Sequence, residues 1–115
     1  MATGVQPTLS VVIPIYNEEQ CIEILYERLT AALADVEGGY EVVFANDGSH
    51  DRSEQMLRDL IARDERLSLV NLSRNFGHQP AISAGLAEAR GQCVVIMDGD
   101  LQDPPEVIPE LLAKW

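Results

Sequence analysis

The sequence predicts an α/β protein built on an open parallel sheet with alternating helices. Two observations carry this. Short apolar runs rich in β-branched residues alternate with longer stretches of helical period along the whole 115-residue chain. No internal repeat or low-complexity segment breaks the alternation. The composition, 46% hydrophobic and 23% charged, is that of an ordinary globular domain and excludes disordered, collagen-like and disulfide-scaffold chains. At this length the chain forms one domain at most.

Each element follows from its own pattern. After a tail of residues 1–8, the first strand is expected at residues 9–15. A helix follows, with Ile22, Leu25, Leu29, Leu33 and Val36 at helical spacing and Gly38-Gly39 as its stop. Asn17 and Gln20 form a capping box before it. The second strand is expected at residues 40–45. The helix after it runs over 52–62, with Met56, Leu57, Leu60 and Ile61 inward and Asp51 and Glu54 as a second capping box. The third strand is residues 67–72, followed by a helix from near Pro80 to Gly91. The fourth strand is residues 93–97, and the last helix opens with Asp103 as N-cap and Pro104 at its first position. All four strands read as buried on both faces, as in a Rossmann-like parallel sheet with right-handed crossovers. The last helix has no cap before Trp115, so a truncated chain is expected.

Charge narrows the partners. The formal net charge is −11, with 19 acidic residues against 8 basic ones and no Lys/Arg cluster, which argues against nucleic acid. A phosphate ligand on so acidic a chain requires a divalent cation or backbone N–H groups. The two cysteines, Cys21 and Cys93, have no metal-clip or redox spacing and read as buried thiols of a reducing compartment. No apolar run approaches the ~20 residues that span a bilayer.

Ligands of an open parallel sheet bind at the carboxyl ends of its strands. The four segments there are unusually polar. In the last, Asp98-Gly99-Asp100-Leu101-Gln102-Asp103, the two aspartates can share one ligand only if the chain turns between them, which Gly99 permits. Carboxylates and a Gln carbonyl are hard oxygen donors suited to Mg²⁺ or Mn²⁺ bound together with substrate phosphates. The competing account is a solvated acidic turn, and for Asp103 the capping role is the better one. In the first segment, Tyr16 can stack on a base and Glu18 can accept from ribose or base N–H groups, although helix-start chemistry explains glutamates there equally well. Asp47, after the second strand, suits a ligand contact. Asp51 reads as structural. His50 and His78 are isolated loop histidines, more often solvated than functional. Arg74 fits a surface ion pair as well as a phosphate contact.

Taken together, Val12-Ile13-Pro14-Ile15-Tyr16-Asn17-Glu18-Glu19, Asn46-Asp47-Gly48-Ser49, Arg74-Asn75-Phe76-Gly77-His78-Gln79 and Asp98-Gly99-Asp100-Leu101-Gln102-Asp103-Pro104-Pro105-Glu106 resemble the family 2 glycosyltransferases of GT-A fold. The resemblance is greatest to the branch that transfers sugar to polyprenyl phosphate, such as bactoprenol glucosyltransferases and dolichyl-phosphate mannosyltransferases. It implies that residues 9–115 are the nucleotide-sugar-binding half of the fold, with sheet order 3-2-1-4. It also implies that Pro14, Tyr16, Glu18 and Asp47 line the nucleoside pocket, with Asp98 and Gly99 contributing to nucleotide-sugar binding. Asp98 and Asp100 would be the D-x-D motif of a Mg²⁺ or Mn²⁺ site, and Gln102 would assist at the metal. Asn46 departs from the pattern, standing where many members have Asp.

The implied reaction is an inverting transfer from a UDP-glucose or GDP-mannose type donor to a lipid phosphate at the cytoplasmic face of the membrane. Acceptor contacts and any general base are expected beyond Trp115, so the 115 residues alone are expected to be inactive. Two rivals stand beside this: a fragment that binds nucleotide without turnover, and an Asp-nucleophile phosphatase. The phosphatase motif normally ends the first strand, whereas this one ends the fourth. A dinucleotide-binding oxidoreductase is disfavoured, since no G-x-G-x-x-G follows the first strand.

Overall fold

The structure, a computed structural model, describes residues 6–115; residues 1–5 of the expected tail lie outside the described residues. In chain order the elements are β1 (Leu9–Ile15), α1 (Ile22–Leu33), β2 (Tyr40–Asn46), α2 (Ser53–Arg63), β3 (Leu67–Asn71), α3 (His78–Glu88), β4 (Cys93–Ile96), a 3-10 turn (Pro105–Val107) and α4 (Ile108–Lys114). The sheet is parallel throughout, in the order β3-β2-β1-β4, as the resemblance implies. Residues 6–8 run on beside it: the Thr8 N–H donates to the Gly39 carbonyl at 3.1 Å, and the Thr8 carbonyl accepts from Cys93 at 2.9 Å.

Alternation along the two central strands divides the core. Leu9, Val11, Ile13 and Ile15 of β1 and Val42 and Phe44 of β2 pack with Leu25, Leu29 and Leu33 of α1, Leu57 and Leu60 of α2 and Ile108 of α4. The other face of β1 and β2 meets α3. There Gly85 makes the approach possible, since a Cβ on it would lie 2.6 Å from Val12 Cγ1. β1 and β2 are buried on both faces as expected. β3 and β4 are not: Val94 is 39% and Ile96 47% exposed. The reason is position, because both are edge strands with one neighbour each and α3 covers the centre of the sheet.

The helix starts also differ from the sequence expectation. Asn17 does not cap α1; its backbone is left-handed (φ 53°) and its Oδ1 accepts the His50 N–H at 2.8 Å across to the next loop. Asp51 keeps a structural role, its carboxylate accepting from the N–H groups of Ser53 at 2.8 Å and Glu19 at 3.2 Å. Burial acts to raise the Asp51 carboxyl, but these bonds and the Ser53 hydroxyl together hold it below the usual carboxylate range. α3 begins at His78, with Pro80 in its first turn where no backbone donor is needed. Asp103 caps nothing; the chain enters α4 through a 3-10 turn instead. That turn is tied to α1 by a two-pronged Arg28–Glu106 pair at 3.0 and 2.5 Å.

Candidate functional site

The loops leaving β1, β2, β3 and β4 meet over the carboxyl ends of the strands and enclose a cleft of about 340 Å³. One wall is Pro14, Ile15, Tyr16 and Glu18, the back is Asp47 with Asn75 and Gly77, and the far side is His78 with Asp98, Gly99 and Asp100. The first two loops are stitched together by side chains of the second: Ser49 Oγ accepts the Asn17 N–H and Ser53 Oγ the Glu18 N–H, each at 2.9 Å. Ser49 in turn donates to Asn46 Oδ1 at 2.6 Å, and Asn46 donates to Asn71 at 2.7 Å. Asn46 is thus a buried neutral link between β2 and β3.

Asp47 is 4% exposed, and its carboxylate is spent on the loop after β3. It accepts the Phe76 N–H at 2.8 Å, the Gly77 N–H at 3.0 Å and Asn75 Nδ2 at 3.0 Å. Gly48 lets the two backbones touch: its φ is +69°, and a Cβ there would lie 2.3 Å from the Arg74 carbonyl carbon. Arg74 itself points away and stacks over the Phe76 ring, 4.1 Å from its centroid.

The cleft is electrostatically one-sided. Its lining residues include no lysine or arginine. Burial, then the carboxylates of Asp100, Asp51 and Asp98, push the Glu18 carboxyl above its usual range. Asp98 Oδ1 lies 2.8 Å from His78 Nε2. The turn at Asp100 is closed by the Gln102 N–H, 3.1 Å from Asp100 Oδ1, and carries Leu101 in the left-handed region at φ 68°, a conformation that costs a non-glycine residue about 1 kcal/mol or more. Among the described residues, no three His, Cys, Asp or Glu side chains converge on one point to hold a metal ion. Asp98 and Asp100 nevertheless suit one: they are hard oxygen donors facing a third carboxylate with no cation in the lining, and Mg²⁺ or Mn²⁺ needs only one or two carboxylates beside phosphate oxygens.

The structure therefore brings Pro14, Tyr16, Glu18, Asp47, Asp98, Gly99 and Asp100 into one cleft. Gln102 lies outside the lining, exposed, with its backbone turned to Asp100. Asn75, Gly77 and His78 are lining residues that sequence reasoning missed. His78 is solvated as expected, its side chain 58% exposed, but it opens α3 instead of lying in a loop and meets Asp98. The signal available was its position in the polar stretch after the third strand. No helix among the described residues is long and apolar enough to cross a membrane.

Known proteins are similar to this chain in sequence and in fold. The undecaprenyl-phosphate 4-deoxy-4-formamido-L-arabinose transferase of Aeromonas hydrophila is 47% identical over 105 residues, 90% of this chain and 32% of that protein. A prophage bactoprenol glucosyl transferase homolog of Escherichia coli is 41% identical over 107 residues, 93% of this chain and 35% of its own length. The chain spans about a third of the length of the curated relatives it matches. Among solved structures, a mannosyltransferase from Pyrobaculum calidifontis in complex with GDP-Man and Mn²⁺ superposes with a TM-score of 0.73 at 27% identity, over 84% of this chain and 28% of that one. The glucosyl-3-phosphoglycerate synthase of Mycobacterium tuberculosis, crystallised with Mn²⁺, UDP and glucosyl-3-phosphoglycerate, superposes with a TM-score of 0.68 at 29% identity, covering 93% of this chain and 39% of that one. The four-stranded parallel sheet is that of the GT-A glycosyltransferases. A sequence model described as glycosyl transferase family 2 matches residues 10–115, and this chain belongs to that family.

Proposed function

We propose that this chain is the donor-binding region of a metal-dependent, inverting glycosyltransferase that moves a sugar from a nucleoside diphosphate sugar to a polyprenyl phosphate. The observation that carries the proposal is the cleft itself, which joins an aromatic and acidic wall at Tyr16 and Glu18 to the Asp98-Gly99-Asp100 turn. Pro14 and Tyr16 form the apolar side against which a base can stack. Glu18 accepts from base or ribose donors, and Asp47, whose carboxylate is held by the loop after β3, closes the back of the cleft. Asp98 and Asp100 hold the cation, with Gly99 leaving room for the diphosphate and Gln102 steadying the turn. When bound, that cation neutralises charge growing on the departing nucleoside diphosphate. A lipid phosphate acceptor is already anionic and needs no strong base, so the donor side dominates the chemistry. Its relatives' names, which print undecaprenyl-phosphate and bactoprenol, support this acceptor class, and UDP-glucose and GDP-mannose are the donors to try first, since the solved neighbours hold UDP or GDP-Man. Alone, the 115 residues bind donor without turning it over.

Calorimetric titration of UDP and GDP, with and without Mn²⁺, tests the proposal on the wild-type chain and on Asp100→Ala. Binding that requires Mn²⁺ and weakens about 10- to 100-fold in the variant is the expected result. A folded chain that binds neither nucleotide, or binds equally well in chelator, overturns it.

A further inference from the structure

We infer that Asp47 is a positioning residue, which builds the metal end of the cleft through the Asn75–Gly77 loop instead of giving its carboxylate to the ligand. Both of its oxygens are already committed, to the N–H groups of Phe76 and Gly77 and to the Asn75 amide. Asn75 Nδ2 also reaches the Asp47 carbonyl at 3.2 Å, so the loop is held by side chain and backbone alike. With Asp47 4% exposed and its carboxylate satisfied by three donor groups, a ligand donor would have to displace one of them.

What the clamp positions is specific. Gly77 leaves the loop at φ 109°, and the next residue, His78, opens α3 and places Nε2 2.8 Å from Asp98 Oδ1. A continuous run of contacts thus leads from the end of β2, through residues 75–77, to the first aspartate of the D-x-D turn. Asp98 carries a hydrogen-bond partner that fixes its orientation before any ligand arrives, and Asp47 fixes that partner. Outer residues of this kind set ligand affinity by holding the inner ones in place.

Only the last step of this inference rests on the donor-site reading, so the first measurement uses nucleotide-free protein. In NMR spectra of Asp47→Asn, an isosteric change that turns an N–H₂ group toward the loop donors, the Phe76 and Gly77 amides should exchange at least about tenfold faster with solvent. The His78 ring signals should shift with them. Asn75→Ala should move the same signals in the same direction by less, and it decides the matter alone if Asp47→Asn does not fold. Unchanged amide exchange and an unchanged His78 ring overturn the inference. The second measurement is binding of inorganic pyrophosphate with Mn²⁺, which offers no base or ribose. A residue that only touched the nucleoside would leave it untouched, and that result also counts against the inference. A positioning role requires Asp47→Asn to weaken it about 10- to 100-fold. Absence of pyrophosphate binding by the wild type condemns the donor-site reading and leaves the first measurement to judge the clamp.

Discussion

At the amino ends of the strands, Glu41 and Asp64 are each buried beside an arginine; at the carboxyl ends, Glu18, Asp98 and Asp100 face one another. Glu41 accepts from Ser10 Oγ at 2.5 Å and the Arg90 N–H at 2.6 Å, with the Arg90 guanidinium at 3.5 Å. Asp64 takes two bonds from the Arg66 guanidinium, at 2.9 and 2.7 Å, and one from the Tyr26 hydroxyl at 2.9 Å. Arg66 in turn lies over the Tyr40 ring at 4.8 Å. The same residue types thus do opposite jobs. Where charge is neutralised within the chain, carboxylates fasten β2 to β1 and to the turn before β4, and the turn before β3 to α1; where it is left unbalanced, they line an opening with no lysine or arginine.

Removing one carboxylate from each end should separate the two roles. Glu41→Ala leaves the Ser10 hydroxyl and the Arg90 N–H without their acceptor, and an unfolding midpoint in urea should report a loss of about 3 kcal/mol. A loss under about 1 kcal/mol would mean that the lower end is no more structural than the cleft.

Acid should dissolve the lower end by a smaller amount. The Arg66 guanidinium, with its N–H and the Tyr26 hydroxyl adding to it against the effect of burial, holds the Asp64 carboxyl down to about 2. A folded value below the unfolded one means stability that is present above about pH 4 and lost as the pH falls from 4 towards 2. Because Arg66 is 44% exposed, screening limits the contribution to roughly 1–2 kcal/mol. Urea midpoints across that window should fall for the wild type and change less for Asp64→Asn.

The smallest effect, of opposite sign, belongs to the cleft. The Glu18 carboxyl is raised, so its charged form is disfavoured in the fold; the penalty is present above its folded value and vanishes on protonation. In chelator, Glu18→Gln should stabilise the chain by up to about 0.5 kcal/mol, and added Mn²⁺ should shrink that gain. Destabilisation by Glu18→Gln would show that its neighbours are not repelling it.

How far the sequence could be read follows the same division. β1 and β2 are apolar on both faces because both faces are covered, and Leu25, Leu29 and Leu33 repeat at helical spacing because α1 lies along one of them. β3 and β4 are less buried than their apolar runs suggest, since Val70 and Ile96 look like core residues in sequence and only sheet order reveals their strands as edges. Seven of the expected cleft residues lie in the lining, because the carboxyl-end rule and the family motifs act on segments. Partnership was harder to read. Asn17 and Asp103 have the spacing of caps, yet Asn17 bonds a loop 33 residues away. His78 meets Asp98 across 20 residues. Local spacing predicts local bonds, and these loops bond to each other.

The glycine in the middle of α3 ties the interior to the cleft. With Val12 Cγ1 2.6 Å from where its Cβ would be, Gly85 sets the height at which the helix rides over β1. His78 stands about two turns away at the end of the same rigid rod. Any side chain at 85 would jack the rod off the sheet by roughly 1 Å in a close-packed interior and carry the imidazole with it. The reach of His78 to Asp98 is therefore gauged by a spacer on the far side of the helix, buried against the sheet and touching no ligand.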